Sequence, residues 1–188
     1  MRKILFQNLI SLDGYFEGPK KEIDWHNVDA EFNEYAISLL NRIDTLIFGR
    51  VTYQLMAAYW PTPEARTDDP NVAAAMNNIA KLVASKTLKT VEWENSKLIH
   101  GDIPSEIRRL KQLEGKDMAV FGSSTLAITL IDNDLIDEFH LIINPLVLGG
   151  GKTLFEGINH RLPLKLAEVR TFKNGNVLHI YYPIRKEM

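Results

Sequence analysis

Short apolar runs alternate along this chain with segments whose apolar residues recur at intervals of three and four, the signatures of strands and amphipathic helices. Residues 4–10 are apolar at most positions, which predicts a strand covered on both faces in the middle of a sheet. Residues 11–19 are rich in turn formers yet keep Asp13, Tyr15 and Phe16, so this loop can arch over a site. Residues 29–42 read as a helix, with Asp29 as its cap and Phe32, Ala36, Leu39 and Leu40 as one apolar stripe. Residues 45–48 read as a strand that passes through Gly49 straight into a helix carrying Val51, Tyr53, Leu55 and Met56. That helix fades at Tyr59-Trp60-Pro61, and residues 61–70, with three prolines, read as a loop.

The alternation continues with a short helix over 72–78 and strands over 80–87 and 97–100. An amphipathic helix follows over 104–113, with Ile107 and Leu110 inward. A strand over 117–121 runs through Gly122 into a helix reaching Leu130, and a further strand covers 139–144. Residues 164–172 and 177–182 flank Asn174-Gly175, the strongest short signal for a hairpin. The pattern predicts an α/β fold: a central, mostly parallel sheet flanked by helices, closed by a C-terminal antiparallel hairpin.

Two strand-to-helix turns carry the candidate chemistry. The first amides of a helix lack internal partners and sit at the positive end of its dipole, so a turn holding Gly49, Arg50 and Thr52 offers N–H groups, a cation and a hydroxyl to a phosphate. Gly122, Ser123, Ser124 and Thr125 repeat the design, and two such seats in one sheet suit a dinucleotide better than a lone phosphate. Ser85 and Lys86 end a strand in the same manner. Gly149-Gly150-Gly151-Lys152-Thr153 lacks the spacing of a P-loop and reads as a close backbone approach or a surface loop.

Composition narrows the class. With 188 residues, 45% of them hydrophobic, the chain suits one core, so residues 1–188 are expected to form a single domain. A net charge of −2 with no Lys/Arg block argues against nucleic acid as a partner. The absence of cysteine, with a start that leads from Met1-Arg2-Lys3 directly into a strand, points to the cytoplasm. No apolar run approaches the length of about 20 residues that crosses a membrane. The five histidines show no paired ligand spacing, so no metal site is expected.

The order of these motifs, from Ser11-Leu12-Asp13-Gly14 through Phe48-Gly49-Arg50-Val51-Thr52, Val83-Ala84-Ser85-Lys86 and Val120-Phe121-Gly122-Ser123-Ser124 to Asn144-Pro145 and the three glycines, resembles the dihydrofolate-reductase-like fold. The nearest resemblance is to the reductase domain of the bifunctional riboflavin-biosynthesis deaminase-reductases and their stand-alone bacterial relatives; the deaminase half is absent. The resemblance implies an NADPH-dependent reductase, a homodimer, acting on a small heterocyclic substrate such as 5-amino-6-(5-phosphoribosylamino)uracil. It implies that Gly49, Arg50, Val51 and Thr52 meet the cofactor's phosphates, with Arg50 towards the 2′-phosphate. Ser85 and Lys86 would lie on the adenosine side, and Gly122, Ser123, Ser124 and Thr125 against the pyrophosphate. Serines 123 and 124 replace two glycines of the dihydrofolate reductase pattern. Asp13 and Asp24 become the candidates for substrate anchoring or proton delivery, with Asn8 and Trp25 in the substrate cleft. Two alternatives stand beside this: a dihydrofolate or pterin reductase, disfavoured because Glu34 is the one acidic residue in the first helix's apolar stretch, and a non-catalytic nucleotide- or flavin-binding module.

Overall fold

The structure, a computed structural model, describes residues 1–185. Eight strands form one sheet in the order β5 (Ser96–Ile99), β4 (Ala80–Ala84), β3 (Ile43–Gly49), β6 (Asp117–Phe121), β1 (Ile4–Ser11), β7 (Glu138–Asn144), β10 (Val177–Pro183), β9 (Leu164–Thr171). The central strand β1 (Ile4–Ser11) lies between β6 (Asp117–Phe121) and β7 (Glu138–Asn144), parallel to both, as its apolar run predicts. Ile4, Leu5 and Phe6 are fully buried because helices cover both faces of the sheet.

Alternate residues of one strand feed two cores. Leu5 packs in a cluster with Leu39 and Leu40 of α1 (Ala30–Arg42), Tyr53 of α2 (Arg50–Tyr59) and Val72 of α4 (Pro70–Asn78). Ile4 and Phe6 point the other way, towards Ile107 of α5 (Ile103–Lys111) and Leu126 and Leu130 of α6 (Ser124–Ile131). Each fully buried Leu, Ile or Phe contributes roughly 1.5–3 kcal/mol, so the two clusters outweigh any surface ion pair.

The edges match the expected hairpin. β9 (Leu164–Thr171) and β10 (Val177–Pro183) are antiparallel, and Gly175 takes the positive φ of 90° that the Asn-Gly turn requires. On the other side β3 (Ile43–Gly49), β4 (Ala80–Ala84) and β5 (Ser96–Ile99) run parallel. Lys81 on β4 is completely buried: its ammonium donates to the carbonyls of Asn77, Ile79 and Glu94 and lies 4.2 Å from the centroid of the Trp93 ring system. Burial pulls its pKa down to about 8.

Three local expectations are corrected. Residues 61–70 are not a plain loop: α3 (Pro63–Asp68) forms there, capped by the Thr62 hydroxyl, and Asp69 caps α4. Pro63 and Pro70 occupy first turns, where a missing N–H costs nothing, so these prolines start helices. The strand predicted to reach residue 87 ends at Ala84, because the Ser85 hydroxyl accepts from the amides of Thr87 and Leu88 and turns the chain. The loop after β1 holds a short strand, β2 (Tyr15–Glu17), paired with β8 (Lys152–Thr153). Gly151 makes that pairing possible, since a Cβ there would lie 2.1 Å from the Glu17 carbonyl oxygen. No helix among the described residues is long and apolar enough to cross a membrane.

Candidate active site

β3 and β6 are parallel neighbours, so the turns that end them stand side by side and α2 and α6 begin next to each other. These two helices share a feature the other four lack. Asp29, Thr62, Asp69 and Asp102 cap α1, α3, α4 and α5 with their side chains, whereas Gly49 and Ser123 provide no side-chain cap. Two positive helix ends with uncapped amides at one sheet edge make a seat for an extended anion.

Ser123 joins the two turns. It adopts the left-handed conformation (φ 58°, ψ 58°), which costs a non-glycine residue about 1–2 kcal/mol. In exchange its hydroxyl accepts from the Gly49 amide at 2.8 Å and donates to the Thr52 hydroxyl at 2.8 Å, two hydrogen bonds worth about 1 kcal/mol each. Gly122 also takes positive φ, and a Cβ there would lie 3.2 Å from the Thr52 methyl group. The serine that departs from the glycine pattern thus fixes the spacing of the cradle.

From the cradle a cleft of about 570 Å³ opens between α1 and α2. Its walls include Gln7, Asn8 and Leu9 of β1, Phe16 and Glu17 of β2, the Phe32, Tyr35 and Leu39 side of α1, Val51, Thr52 and Leu55 of α2, and Phe121, Gly122 and Ser123. Asn8 is 6% exposed, and its amide nitrogen has no hydrogen-bond partner among the described residues; the same holds for Nε2 of His26, another lining residue. Burial pulls the His26 pKa down to about 4, against a weaker opposing effect of the Phe16 backbone, so its imidazole is neutral at pH 7. The Tyr35 hydroxyl meets Nδ1 of His140 at 2.8 Å, and Nε2 of His140 lies 3.2 Å from Glu138. Burial raises the Tyr35 pKa strongly. Burial pushes the Glu138 carboxyl up, but hydrogen bonds from His140 and Arg42 and the Arg42 charge outweigh it and hold the group well below the usual range.

A second cavity of about 580 Å³ lies between α2 and residues 88–94. Among its polar groups, the Tyr53 hydroxyl accepts from the amides of Glu92 and Trp93, and the Asn77 side chain bonds Trp60, Ala73 and Trp93. The first cleft, with its uncapped helices and unpaired polar atoms, is the candidate site.

Of the residues predicted from sequence, Asn8, Val51, Thr52, Gly122 and Ser123 line this cleft. Gly49 supplies the bonded amide of the cradle, while Ser124 is buried and Thr125 exposed in the first turn of α6. Arg50 is exposed, with its guanidinium on Gln54 at 3.0 Å, at the sheet edge where Gly49 pairs with Ala84, just before Ser85 and Lys86. The Ser85 hydroxyl is occupied within its own turn and Lys86 is exposed. Asp13, Asp24 and Trp25 are not among the lining residues. The Asp13 carboxylate is a latch: it accepts from the Ser11 hydroxyl and from the amides of Leu148 and Gly149, which hold it below the usual carboxylate range against a smaller effect of burial. Asp24 is exposed, and Trp25 donates to the Glu22 carbonyl and packs edge-on against His26. His26 and Tyr35 escaped the sequence reading. The available signals were the aromatic neighbour Trp25 and the place of Tyr35 three residues after Phe32 on the helical stripe.

The RibD C-terminal domain family matches residues 2–178. The uncharacterized protein YyaP of Bacillus subtilis is 34% identical over 181 residues, 96% of this chain and 95% of its own length. Among solved structures, a putative riboflavin biosynthesis protein from Shewanella superposes with a TM-score of 0.75 at 24% identity, over 98% of this chain and all of its own. A diaminohydroxyphosphoribosylaminopyrimidine deaminase/5-amino-6-(5-phosphoribosylamino)uracil reductase from Thermotoga maritima gives 0.72 at 16% identity, over 97% of this chain and 57% of that one. Dihydrofolate reductase from Enterococcus faecalis, complexed with NADP(H), gives 0.65 at 16% identity, over 96% of each chain. The dihydrofolate-reductase-like fold expected from the motifs is therefore the fold observed.

Two outcomes follow from the site. Ser123→Ala and Thr52→Val are each expected to cost about 1 kcal/mol in urea denaturation, with a coupling of about 0.5–1.5 kcal/mol in the double-mutant cycle; strict additivity would mean the hydroxyl bridge is not formed. His26 has a folded pKa of about 4 against an ordinary 6.5, so between those values the unfolded chain binds more protons. Stability therefore falls as pH drops from 6.5 towards 4, and His26→Asn should flatten that part of the profile.

Proposed function

The chain belongs to the RibD C-terminal domain family, and from that membership we propose that it is an NADPH-dependent reductase of a small heterocyclic substrate. The single observation that carries the proposal is the junction of two uncapped helix ends through Ser123, which opens onto a cleft with unpaired polar atoms. In this reading the cofactor's pyrophosphate is held by the first-turn amides of α2 and α6, near Val51, Thr52, Ser124 and Thr125. Arg50 and Lys86 supply positive charge to the 2′-phosphate at the rim, where β3 and β4 end together. Ser123 meets no ligand through its hydroxyl and instead keeps the two helix ends at fixed spacing.

When bound, the cofactor supplies a hydride, two electrons with one hydrogen, to an unsaturated carbon of the substrate, and the adjoining nitrogen or oxygen takes a proton from water. The chain's own part is orientation and exclusion of solvent. Phe16, Phe32, Tyr35 and Leu39 provide apolar walls, and Asn8 and His26 provide polar atoms that can fix a ring edge. Asp13 serves this site indirectly by tying the loop at 148–149 to the turn after β1, and Asp24 is a carboxyl in the segment between β2 and α1. The reading also takes the chain to act as a homodimer, which rests on the family alone, and in the cytoplasm, which rests on its lack of cysteine.

Titration of NADPH and NADH, followed by nicotinamide fluorescence, tests the cofactor assignment. Arg50→Ala should weaken NADPH by about tenfold or more and NADH hardly at all, because the lost charge faces the 2′-phosphate. Equal weakening of both would remove Arg50 from that role.

A further inference from the structure

We propose that the substrate of this cleft carries no phosphate and is an uncharged, planar heterocycle held by its edge. The inference rests on the reductase reading of the site and narrows it. A phosphorylated substrate brings close to two negative charges and needs a cation where its phosphate comes to rest. The cleft walls offer the reverse balance: their charged residues are Glu17, Asp68, Asp69 and Lys21, three carboxylates against one ammonium. Asp68 accepts from the Tyr59 hydroxyl and Asp69 caps α4, so both are fixed in place.

The neighbouring cations do not repair this. Arg50 lies on Gln54, Arg66 lines the second cavity, and Lys152 sits over the Phe16 ring at 5.7 Å without joining the walls. What the cleft does provide suits a ring. Val51, Leu55 and Tyr59 form an apolar stripe along α2 that stays exposed at the cleft, facing the aromatic side of α1. Asn8 is more than nine-tenths buried with an unsatisfied amide nitrogen, and the neutral His26 leaves Nε2 unsatisfied. A lactam or amide edge carries an acceptor suited to the Asn8 amide and a donor suited to Nε2 of His26. A phosphate dianion can accept from the Asn8 amide nitrogen but has no donor to offer an unprotonated Nε2 of His26.

The test is calorimetric titration of the full chain with two matched pairs, riboflavin against its 5′-phosphate and uridine against its 5′-phosphate, at low salt. NADPH binding is measured separately by fluorescence. The expected result is tighter binding of the unphosphorylated member, by about tenfold or more, in at least one pair. Asp68→Asn should narrow the gap, and Asn8→Ala should weaken ring binding by about tenfold. Equal or tighter binding of the phosphorylated members, or no binding by any of the four compounds, overturns the proposal. Failure to bind NADPH strikes instead at the reductase reading, and the two failures are separately visible.

Discussion

The hydroxyl of Ser123 is the contact on which the site depends. Without it, two strands would end in two turns and start two helices, each able to settle independently. With it, the Gly49 amide, the Thr52 hydroxyl and the start of α6 share one fixed geometry. The cost is a left-handed serine, and local strain of this kind persists only where surrounding structure over-determines it. Here the over-determination comes from the parallel pairing of β3 with β6 and from the packing of Leu126 and Leu130 beneath α6.

That arrangement divides labour across the sheet edge. The cradle collects positive helix ends and stays polar, whereas the cleft beside it is walled by α1 and α2 and stays apolar apart from a few placed groups. The latch formed by Asp13 and the close passage of Gly151 against Glu17 shape the loops over β1 and β7 in the same way, by backbone hydrogen bonds and not by bulk. The buried Glu138–His140–Tyr35 chain then fixes the α1 wall against β7. A site assembled from such constraints suits hydride transfer, a reaction that demands orientation more than specialised acids or bases.

Much of this was legible in the sequence. Continuous apolar runs disclosed β1 and the parallel sheet, and Asn174-Gly175 disclosed the closing hairpin, because these signals are local and arise from burial or turn geometry. The strand-to-helix turns at Gly49 and Gly122 were legible for the same reason: a glycine at the end of an apolar run marks the turn. Residues 61–70 were misread because proline was weighed as a breaker when its neighbours Thr62 and Asp69 were helix caps. The bonds of Asp13 were not legible, because sequence does not reveal that the amides of Leu148 and Gly149, far along the chain, would reach it. His26 and Tyr35 were overlooked because their significance lies in burial and in partners on other elements.

The most direct measurement is the structure of the chain bound to NADP⁺. The account predicts the pyrophosphate within hydrogen-bonding distance of first-turn amides of both α2 and α6, with the nicotinamide ring entering the cleft beside Asn8 and Gly122. A cofactor seated in the cavity between α2 and residues 88–94, or one held by a single helix end, would contradict it.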